Sequence, residues 1–381
     1  MSARFKEKST PEKIDEIMTD PIVKLSDRVA LDSSDRQNFA RRLPEVLAEI
    51  AIESDYSIVY KDHQPIVVDD RYRAYLQQID SQEGDRYLTT KLQNYLYAIF
   101  NGELKAKEEG DRQTIVNQAD EWYTSKFYHQ LVECNHGRGY EDSGWLVVRQ
   151  ERQYWQVSKE GLTVYIDPEK DLFDSTLAQI GSTISVIMPA NLVDRGLYIA
   201  IGDAGSVNRP DIAETTLLQL YLGIKAHGAP NLLSLLTQEL NSLKIPFDFK
   251  LAYREADYER VDAAVLEFVS SDWEKLQPII KNIYLENRSY FTTKIPFFCL
   301  PLANGLGLAE KPNDMFENRL ENLGRQYCRL IAKAIVNTSK QTNPKHKNNY
   351  RNTLYYFNQL KADINKIYLN PTSNTVYKLA F

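Results

Sequence analysis

The hydrophobic pattern of the chain changes at Gly144, and this change constrains the fold more than any other feature. Between residues 35 and 135, apolar side chains such as Leu43 and Leu47 recur three or four positions apart, which predicts amphipathic helices. After Gly144 the apolar residues come in short runs rich in aromatic and β-branched side chains, for example 162–166. Such runs, separated by glycine-containing turns, are typical of strands.

The predicted elements follow this division. Strands are predicted at 145–148, 154–157, 162–166, 183–188, 197–201, 216–222, 247–253 and 263–268, and helices at 87–100, 118–134, 229–243, 272–285 and 315–337. Helices come first, and strands with interspersed helices follow. This order predicts an α+β fold, in which a helical N-terminal region precedes a mostly antiparallel sheet region with packed helices.

Four regions are expected along the chain. They are a flexible arm at 1–34, a helical region at 35–135, an α+β region at 136–339 that carries the catalytic or binding site, and a basic helical tail at 340–381. The arm is polar and charged, and a lysine- and asparagine-rich linker opens the tail.

Composition favours a cytoplasmic globular protein. The hydrophobic fraction is 43% and the charged fraction 26%, close to ordinary globular values. No apolar run approaches the roughly 20 residues needed to cross a bilayer, and residues 1–24 contain no secretory signal. The three cysteines are far apart and odd in number, which does not favour a disulfide framework.

Charge is distributed unevenly. The chain carries a net charge of −6, but residues 340–381 hold seven Lys and Arg against Asp363 alone, a net +6 that leaves −12 for the rest. A basic tail of this kind suits an acidic peptide or a partner subunit. Nucleic acid is not an expected partner, because the acidic body would repel its phosphates.

No cofactor or metal motif is found. The glycine-rich segments 202–205 and 305–307 match neither a dinucleotide-binding nor a P-loop pattern, and we interpret them as turns. Cys134 and His136 have no second ligand pair at zinc-site spacing. We therefore expect neither a metal nor an organic cofactor.

Lys250 lies in one of three segments with residues suited to a site. On a strand, Phe247 and Phe249 share one face, and Lys250 points to the other. If that face borders a cleft, Lys250 is a candidate base, and otherwise it is an ordinary exposed lysine. The other two segments are 135–145, with three glycines, a histidine and an arginine, and 302–312, which precedes a helix carrying Arg319.

Together these segments resemble the HopA family of bacterial type III effectors and their cytosolic relatives. The matching residues are Asn101-Gly102, 136–140, Gly144-Trp145, 159–162, 245–247, Lys250, Tyr258, Arg260, Asp262, 305–310, Asn318-Arg319 and 368–371. Each piece is weak alone, and the ordered set is the specific signal. The first 90 residues resemble the family less.

The resemblance implies an α+β fold and two roles. Some relatives are effectors recognised by plant immunity. Others, encoded beside peptide-modifying kinases, are thought to be phosphothreonine/phosphoserine lyases that make dehydroamino acids in lanthipeptide-like and thioamide-containing peptides. A peptide or protein substrate, in phosphorylated form for the lyase, and a kinase-like partner are therefore expected. Export as an effector also fits the resemblance.

Phosphate elimination needs a base, cations that hold the phosphate and, in one version of the mechanism, an acid. We assign Lys250 as the base, His136 or Tyr258 as the acid, and Arg260, Arg319 and Lys294 as phosphate-binding residues. Many relatives have an arginine in the strand that here reads 218–221, and this chain has Gln219. The alternative function is a non-catalytic protein that binds a peptide or a partner.

Overall fold

The computed structural model describes residues 38–61, 63, 65–68, 81–102, 125–172, 178–209, 212, 215–316, 321–341 and 348–377. The predicted arm at 1–34 and Arg319 lie outside these residues. The α-helices of the described part are α1 (Phe39–Glu49), α2 (Ser81–Asn101), α3 (Lys126–Cys134), α4 (Ala229–Ser242), α5 (Trp273–Glu286), α6 (Leu323–Ser339) and α7 (Asn349–Gln359).

The strands of the described part form antiparallel sheets, which confirms the α+β class. They are β1 (Ile50–Ile52), β2 (Ile58–Tyr60), β3 (Tyr140–Gln150), β4 (Trp155–Lys159), β5 (Leu162–Ile166), β6 (Thr183–Met188), β7 (Asn191–Asp194), β8 (Leu197–Ile201), β9 (Leu217–Leu222), β10 (Phe247–Ala252), β11 (Ala264–Val269), β12 (Leu300–Ala303) and β13 (Leu306–Glu310).

Contacts divide the chain into two compact units. One comprises Met1–Asn94 with Cys328–Lys366, and the other Tyr95–Tyr327 with Ile367–Phe381. The fourfold division predicted from the sequence stays a prediction, since its first region and much of its linker lie outside the described residues.

The first unit contains α1, α7 and the hairpin β1–β2. Asn38 and Asn348 cap the two helices, each through a side-chain oxygen that accepts a backbone N–H of the first turn. Phe39 of α1 stacks on Phe357 of α7 with ring centroids 5.8 Å apart. The hairpin was not predicted, because three-residue strands are too short to show alternation.

The second unit contains a seven-stranded sheet with the order β12-β13-β9-β11-β10-β8-β7, in which every neighbouring pair is antiparallel. Phe247 and Phe249 of β10 are fully buried in the main hydrophobic core with apolar side chains of α3, α4 and α5. Alternation along β10 directs Lys250 to the other face of the sheet, as the sequence predicts.

The same unit contains a four-stranded sheet with the order β5-β4-β3-β6. Trp145, Val147, Val157 and Val186 form its buried core. Gly139, at a φ of +91°, lies so near β6 that a Cβ would be 2.4 Å from the Met188 carbonyl oxygen. This close approach explains why position 139 is a glycine, and no catalytic role is needed to account for it.

Most strands after Gly144 lie where the sequence predicts them, and β6 and β8 have the predicted bounds. The strands β7, β12 and β13 were missed. We interpreted 305–307 as a turn, which was wrong for Gly307, because this residue lies within β13. Gly307 has no room for a side chain, since a Cβ would be 2.4 Å from the Cys299 Sγ atom.

Within the described residues, no helix is long and apolar enough to cross a membrane. The three cysteines are all described, and none forms a disulfide.

Gly223 provides a test of the packing at the end of β9. A Cβ there would be 1.9 Å from the Lys294 carbonyl oxygen, so Gly223→Ala is expected to lower the free energy of unfolding by about 3 kcal/mol. Gly181→Ala is the control: nothing lies within 4 Å of its Cβ position and its φ is +87°, so only about 1 kcal/mol of backbone strain is expected. Urea unfolding of both variants measures the difference, and equal losses would contradict this packing.

Candidate functional site

A row of polar side chains crosses the centre of the seven-stranded sheet on the face opposite Phe247 and Phe249. Asp248, Glu267 and Gln219 lie abreast on β10, β11 and β9, because Asp248 pairs with Glu267 and Glu267 with Gln219 in the strand register. All three are buried, and Glu267 has no exposed surface. Buried acids and amides of this kind require hydrogen-bond or charge partners, so their contacts define the site.

Glu267 is held by two lysines. The Nζ atom of Lys250 lies 2.6 Å from Glu267 Oε1, and the Nζ atom of Lys311 lies 2.9 Å from Oε2. Gln219 Nε2 also donates a hydrogen bond of 2.8 Å to Oε1. We call these four residues the lysine–glutamate cluster.

The two lysines keep Glu267 ionised. Complete burial by itself would raise the pKa of this carboxyl, because burial disfavours the charged form. The positive charges of Lys250 and Lys311, with hydrogen bonds from Lys250 and Gln219, outweigh burial and lower the pKa of Glu267 to about 2. The cluster therefore contains a permanent carboxylate at neutral pH.

A second set of contacts continues from Lys311. Its Nζ atom donates to Asn208 Oδ1 at 2.6 Å, and Asn208 Nδ2 donates to Asp248 Oδ2 at 2.5 Å. Ser206 Oγ donates to the same Asp248 oxygen at 2.9 Å. The segment 206–208 is thereby tied to the polar row by both its serine and its asparagine.

Solvent reaches the cluster. The side chain of Lys250 is 25% exposed and that of Lys311 is 11% exposed, while Glu267 beneath them is sealed. The ammonium groups of Lys250 and Lys311 have N–H donors that Glu267 does not use. Such donors can bind an anion through charge-assisted hydrogen bonds.

The predicted phosphate-binding residues Arg260 and Lys294 lie near one another. Arg260 pairs with Asp262 at 2.8 Å, and Lys294 pairs with Glu259, the residue preceding Arg260, at 3.2 Å. Asp262 is close enough to Tyr221 that its charge adds to burial in raising the pKa of that phenol, and Tyr221 donates to Gln219 of the cluster. The Lys294–Glu259 pair is largely exposed, whereas Arg260 is half-exposed and Asp262 is mostly buried.

The predicted acids His136 and Tyr258 lie among the helices that cover the Phe247 side. His136 Nε2 is 2.9 Å from Ser234 Oγ of α4. Tyr258 is part of the main core, with its ring edge against Phe127, and burial raises the pKa of its phenol. The structure therefore does not bring these two side chains to Lys250, which points to the other face.

Several residues of the site were missed by sequence reasoning. Glu267 was taken only as part of a strand at 263–268, and Lys311 follows β13, which was not predicted. A usable signal existed, because Glu267 interrupts an otherwise apolar strand and a buried acid implies a cationic partner. Gln219, singled out as a departure from the family, belongs to the cluster.

Among the described residues, no group of three or more His, Cys, Asp or Glu could hold a metal ion. One pocket of about 460 Å³ lies in the first unit, lined by parts of α1, α6 and α7 and the residues next to them, and none of the predicted site residues lines it.

Residues 188–369 match the model of the HopA1 effector protein family. This segment spans all seven strands of the large sheet and includes the whole lysine–glutamate cluster. The chain is HopA1-like over this segment, which confirms the resemblance expected from the sequence.

Two solved structures of effector proteins are similar to the chain. For the effector protein from Pseudomonas syringae pv. tomato strain DC3000, sequence identity is 14% and the TM-score 0.39, covering 76% of this chain and 97% of that one. For the effector protein from Pseudomonas syringae pv. syringae strain 61, sequence identity is 12% and the TM-score 0.40, covering 75% of this chain and 95% of that one. No curated protein matches the chain.

Glu267→Gln tests the electrostatics of the cluster. At pH 7 this variant removes the carboxylate between two lysines and is expected to cost about 3 kcal/mol of stability. The folded-state pKa of about 2 lies below the ordinary value of 4.5, so the carboxylate stabilises the fold fully above about pH 4.5. This stabilisation is lost as the pH falls toward 2.

Urea unfolding of the wild type and of Glu267→Gln at pH 7, 4.5 and 3 measures this dependence. The difference between the two proteins should shrink as the pH falls below 4.5. Glu274→Gln, an exposed change on α5, serves as a control, with an expected effect within about 0.5 kcal/mol. A difference that stays constant from pH 7 to 3 would contradict the assigned pKa.

Proposed function

We propose that this HopA1-like protein is a phosphothreonine/phosphoserine lyase, which eliminates phosphate from a peptide and leaves a dehydroamino acid. One observation supports this most: Lys250 and Lys311 converge on a single buried carboxylate while part of each lysine side chain remains exposed. The pair thus forms a cationic site on a rigid sheet, and rigid elements hold such groups more accurately than loops do.

The lysines are suited to a phosphate monoester. Each ammonium group has three donors and no acceptor. Lys250 uses one donor on Glu267, and Lys311 uses two, on Glu267 and Asn208. The remaining N–H groups can bind phosphate oxygens, and Glu267 keeps the two cations close to each other when no substrate is bound.

Elimination begins when Lys250, which contacts Glu267 as an ammonium group, gives one proton to solvent. Its neutral amine then takes the proton from the α-carbon. The electrons of the Cα–H bond form the Cα=Cβ double bond, and the Cβ–O bond breaks with its electron pair on phosphate. Lys311 stabilises the charge that develops on the leaving oxygen. The ester reacts as its monoanion, so phosphate leaves as the dianion HPO4²⁻, and the products are a dehydroamino acid and inorganic phosphate.

Other cations extend this proposal. Arg260 and Lys294 lie near one another, and about half or more of each side chain is exposed, so they can guide an acidic peptide toward the cluster. Arg319 keeps its proposed phosphate-binding role without a structural account. For His136 and Tyr258 the role of acid stays a prediction, and phosphate that leaves as its dianion needs no acid.

The second candidate function is binding without turnover. The same two ammonium groups would hold a phosphorylated peptide or protein partner if Lys250 never acts as a base. The effector family of the matched segment favours a role in protein interaction. Partners in this reading are a peptide, a protein or a kinase-like protein, the last contacting the basic tail at 340–381.

Lys250→Ala and Lys250→Arg separate the two functions. Arginine keeps a positive charge but cannot give up its proton. If Lys250 is the base, both variants lose elimination by at least about a hundredfold, while Lys250→Arg still binds phosphopeptide. Mass spectrometry detects the product, which is lighter than the dephosphorylated peptide by one water. Calorimetry with a phosphothreonine peptide measures binding.

Lys170→Ala is the matched control, because Lys170 is an exposed lysine paired with Asp167 at 2.8 Å, and wild-type activity is expected. Retained elimination in a folded Lys250→Arg variant would contradict the role of base. Phosphate-dependent binding with no lighter product from the wild type would instead establish the binding function.

A further inference from the structure

We infer that Asp248 and Asn208 are positioning residues that set the direction of the Lys311 ammonium group and thereby fix where a phosphate is held. This inference rests on the proposed function, since it assigns the phosphate to the lysine–glutamate cluster. Neither residue was expected to belong to a site from the sequence.

The side-chain amide of Asn208 links the Asp248 carboxylate to the Lys311 ammonium group. Its Nδ2 atom donates to Asp248 Oδ2 and its Oδ1 atom accepts from Lys311 Nζ. A carboxylate has no donor and an ammonium group has no acceptor, so only this orientation of the amide makes both contacts hydrogen bonds. Asp248 and Lys311 therefore favour the same orientation of the Asn208 amide, and Asp248 holds the amide in it.

Asp248 is suited to this task because it is buried and fixed. It is 3% exposed, and its Oδ2 atom accepts from both Ser206 and Asn208. Its Oδ1 atom is buried with no hydrogen-bond partner in the described part of the chain. Both loop donors are thus directed to a single oxygen, which limits the positions that Asn208 can take.

The loop that carries Asn208 is held at its other end. Asp203 accepts hydrogen bonds from the backbone and side chain of Arg138, and its own N–H donates to Asn241 at 2.9 Å. Gly205 has a φ of +100°, and a Cβ there would be 2.6 Å from the Arg209 guanidinium. The glycine-rich turn at 202–205 therefore holds the loop that carries Asn208. This structural role explains its glycines without a phosphate-binding function.

Lys311 gains a defined direction from these contacts. Its ammonium group donates to Glu267 on one side and to Asn208 on another. Because the three N–H bonds are tetrahedral, fixing two of them fixes the third. The third N–H group would then already point toward the phosphate oxygen that it binds. This preorganisation reduces the entropic cost of binding.

The test compares Asn208→Ala with Ser206→Ala in calorimetric titrations with a phosphothreonine peptide. Both variants remove one donor from Asp248 Oδ2, and Ser206→Ala also removes the acceptor of the Asn208 backbone N–H, but only Asn208→Ala removes a contact of Lys311. Asn208 is exposed overall, so its variant is expected to fold, and thermal unfolding checks this. We expect Kd to rise about tenfold in Asn208→Ala and less than about twofold in Ser206→Ala.

A double variant shows whether Asn208 acts through Lys311. If it does, Asn208→Ala combined with Lys311→Ala binds no more weakly than Lys311→Ala alone, because the contact has already been removed. Asp248→Asn keeps nearly the same side-chain shape but introduces a hydrogen-bond donor. This variant should also weaken peptide binding when Lys311 is present and have little effect in combination with Lys311→Ala.

Two failures are distinguishable. Binding that is lost in Lys311→Ala but unchanged in Asn208→Ala, or additive losses in the double variant, would overturn the positioning role and leave the proposed function intact. A wild-type protein that binds phosphorylated and unphosphorylated peptide equally would overturn both.

Discussion

The buried carboxylate of Glu267 is the constraint on which the site depends. A charge with no exposed surface in the middle of a sheet is unfavourable unless cations compensate for it. Lys250 supplies that compensation from β10, and Lys311 supplies it from the position directly after β13. The need to keep Glu267 paired therefore draws two lysines together at one place.

The sheet makes this arrangement specific. Its Phe247 side is apolar and covered by helices, whereas its other side carries the polar row at the centre. A shift of one residue in the register of β10 would exchange these faces and place Lys250 in the apolar core. Core packing thus holds the cluster in place, and site chemistry and fold stability are linked through the same strand.

Part of the site could be predicted from the sequence. The alternation of Phe247, Phe249 and Lys250 placed the lysine on the face opposite the core, and the α+β class followed from the order of elements. The convergence of Lys311 on Glu267 could not be predicted, because it depends on β13 pairing with β9 and β9 with β11. Register between distant strands is set by tertiary packing, which local patterns do not encode.

The role of a glycine-rich segment could not be predicted from its composition either. The glycine-rich segment 135–145 resembled a site because of its composition, but Gly139 is required by the close approach of β3 to β6. The segment 202–205 was taken as an ordinary turn, and it leads into the segment 206–208, whose serine and asparagine contact Asp248. Glycine-rich composition indicates where the backbone is unusual. Only the assembled sheet shows whether such a segment has a structural role or lies at the candidate site.

If phosphate binds to Lys250 and Lys311 next to Glu267, nuclear magnetic resonance of the lysine side chains detects the binding directly, with the two residues assigned through Lys→Arg variants. On addition of a phosphothreonine peptide, the ε-methylene signals of Lys250 and Lys311 should shift, and the unphosphorylated peptide should leave them unchanged. Shifts confined to exposed lysines such as Lys170 or Lys294, with Lys250 and Lys311 unaffected, would contradict the account.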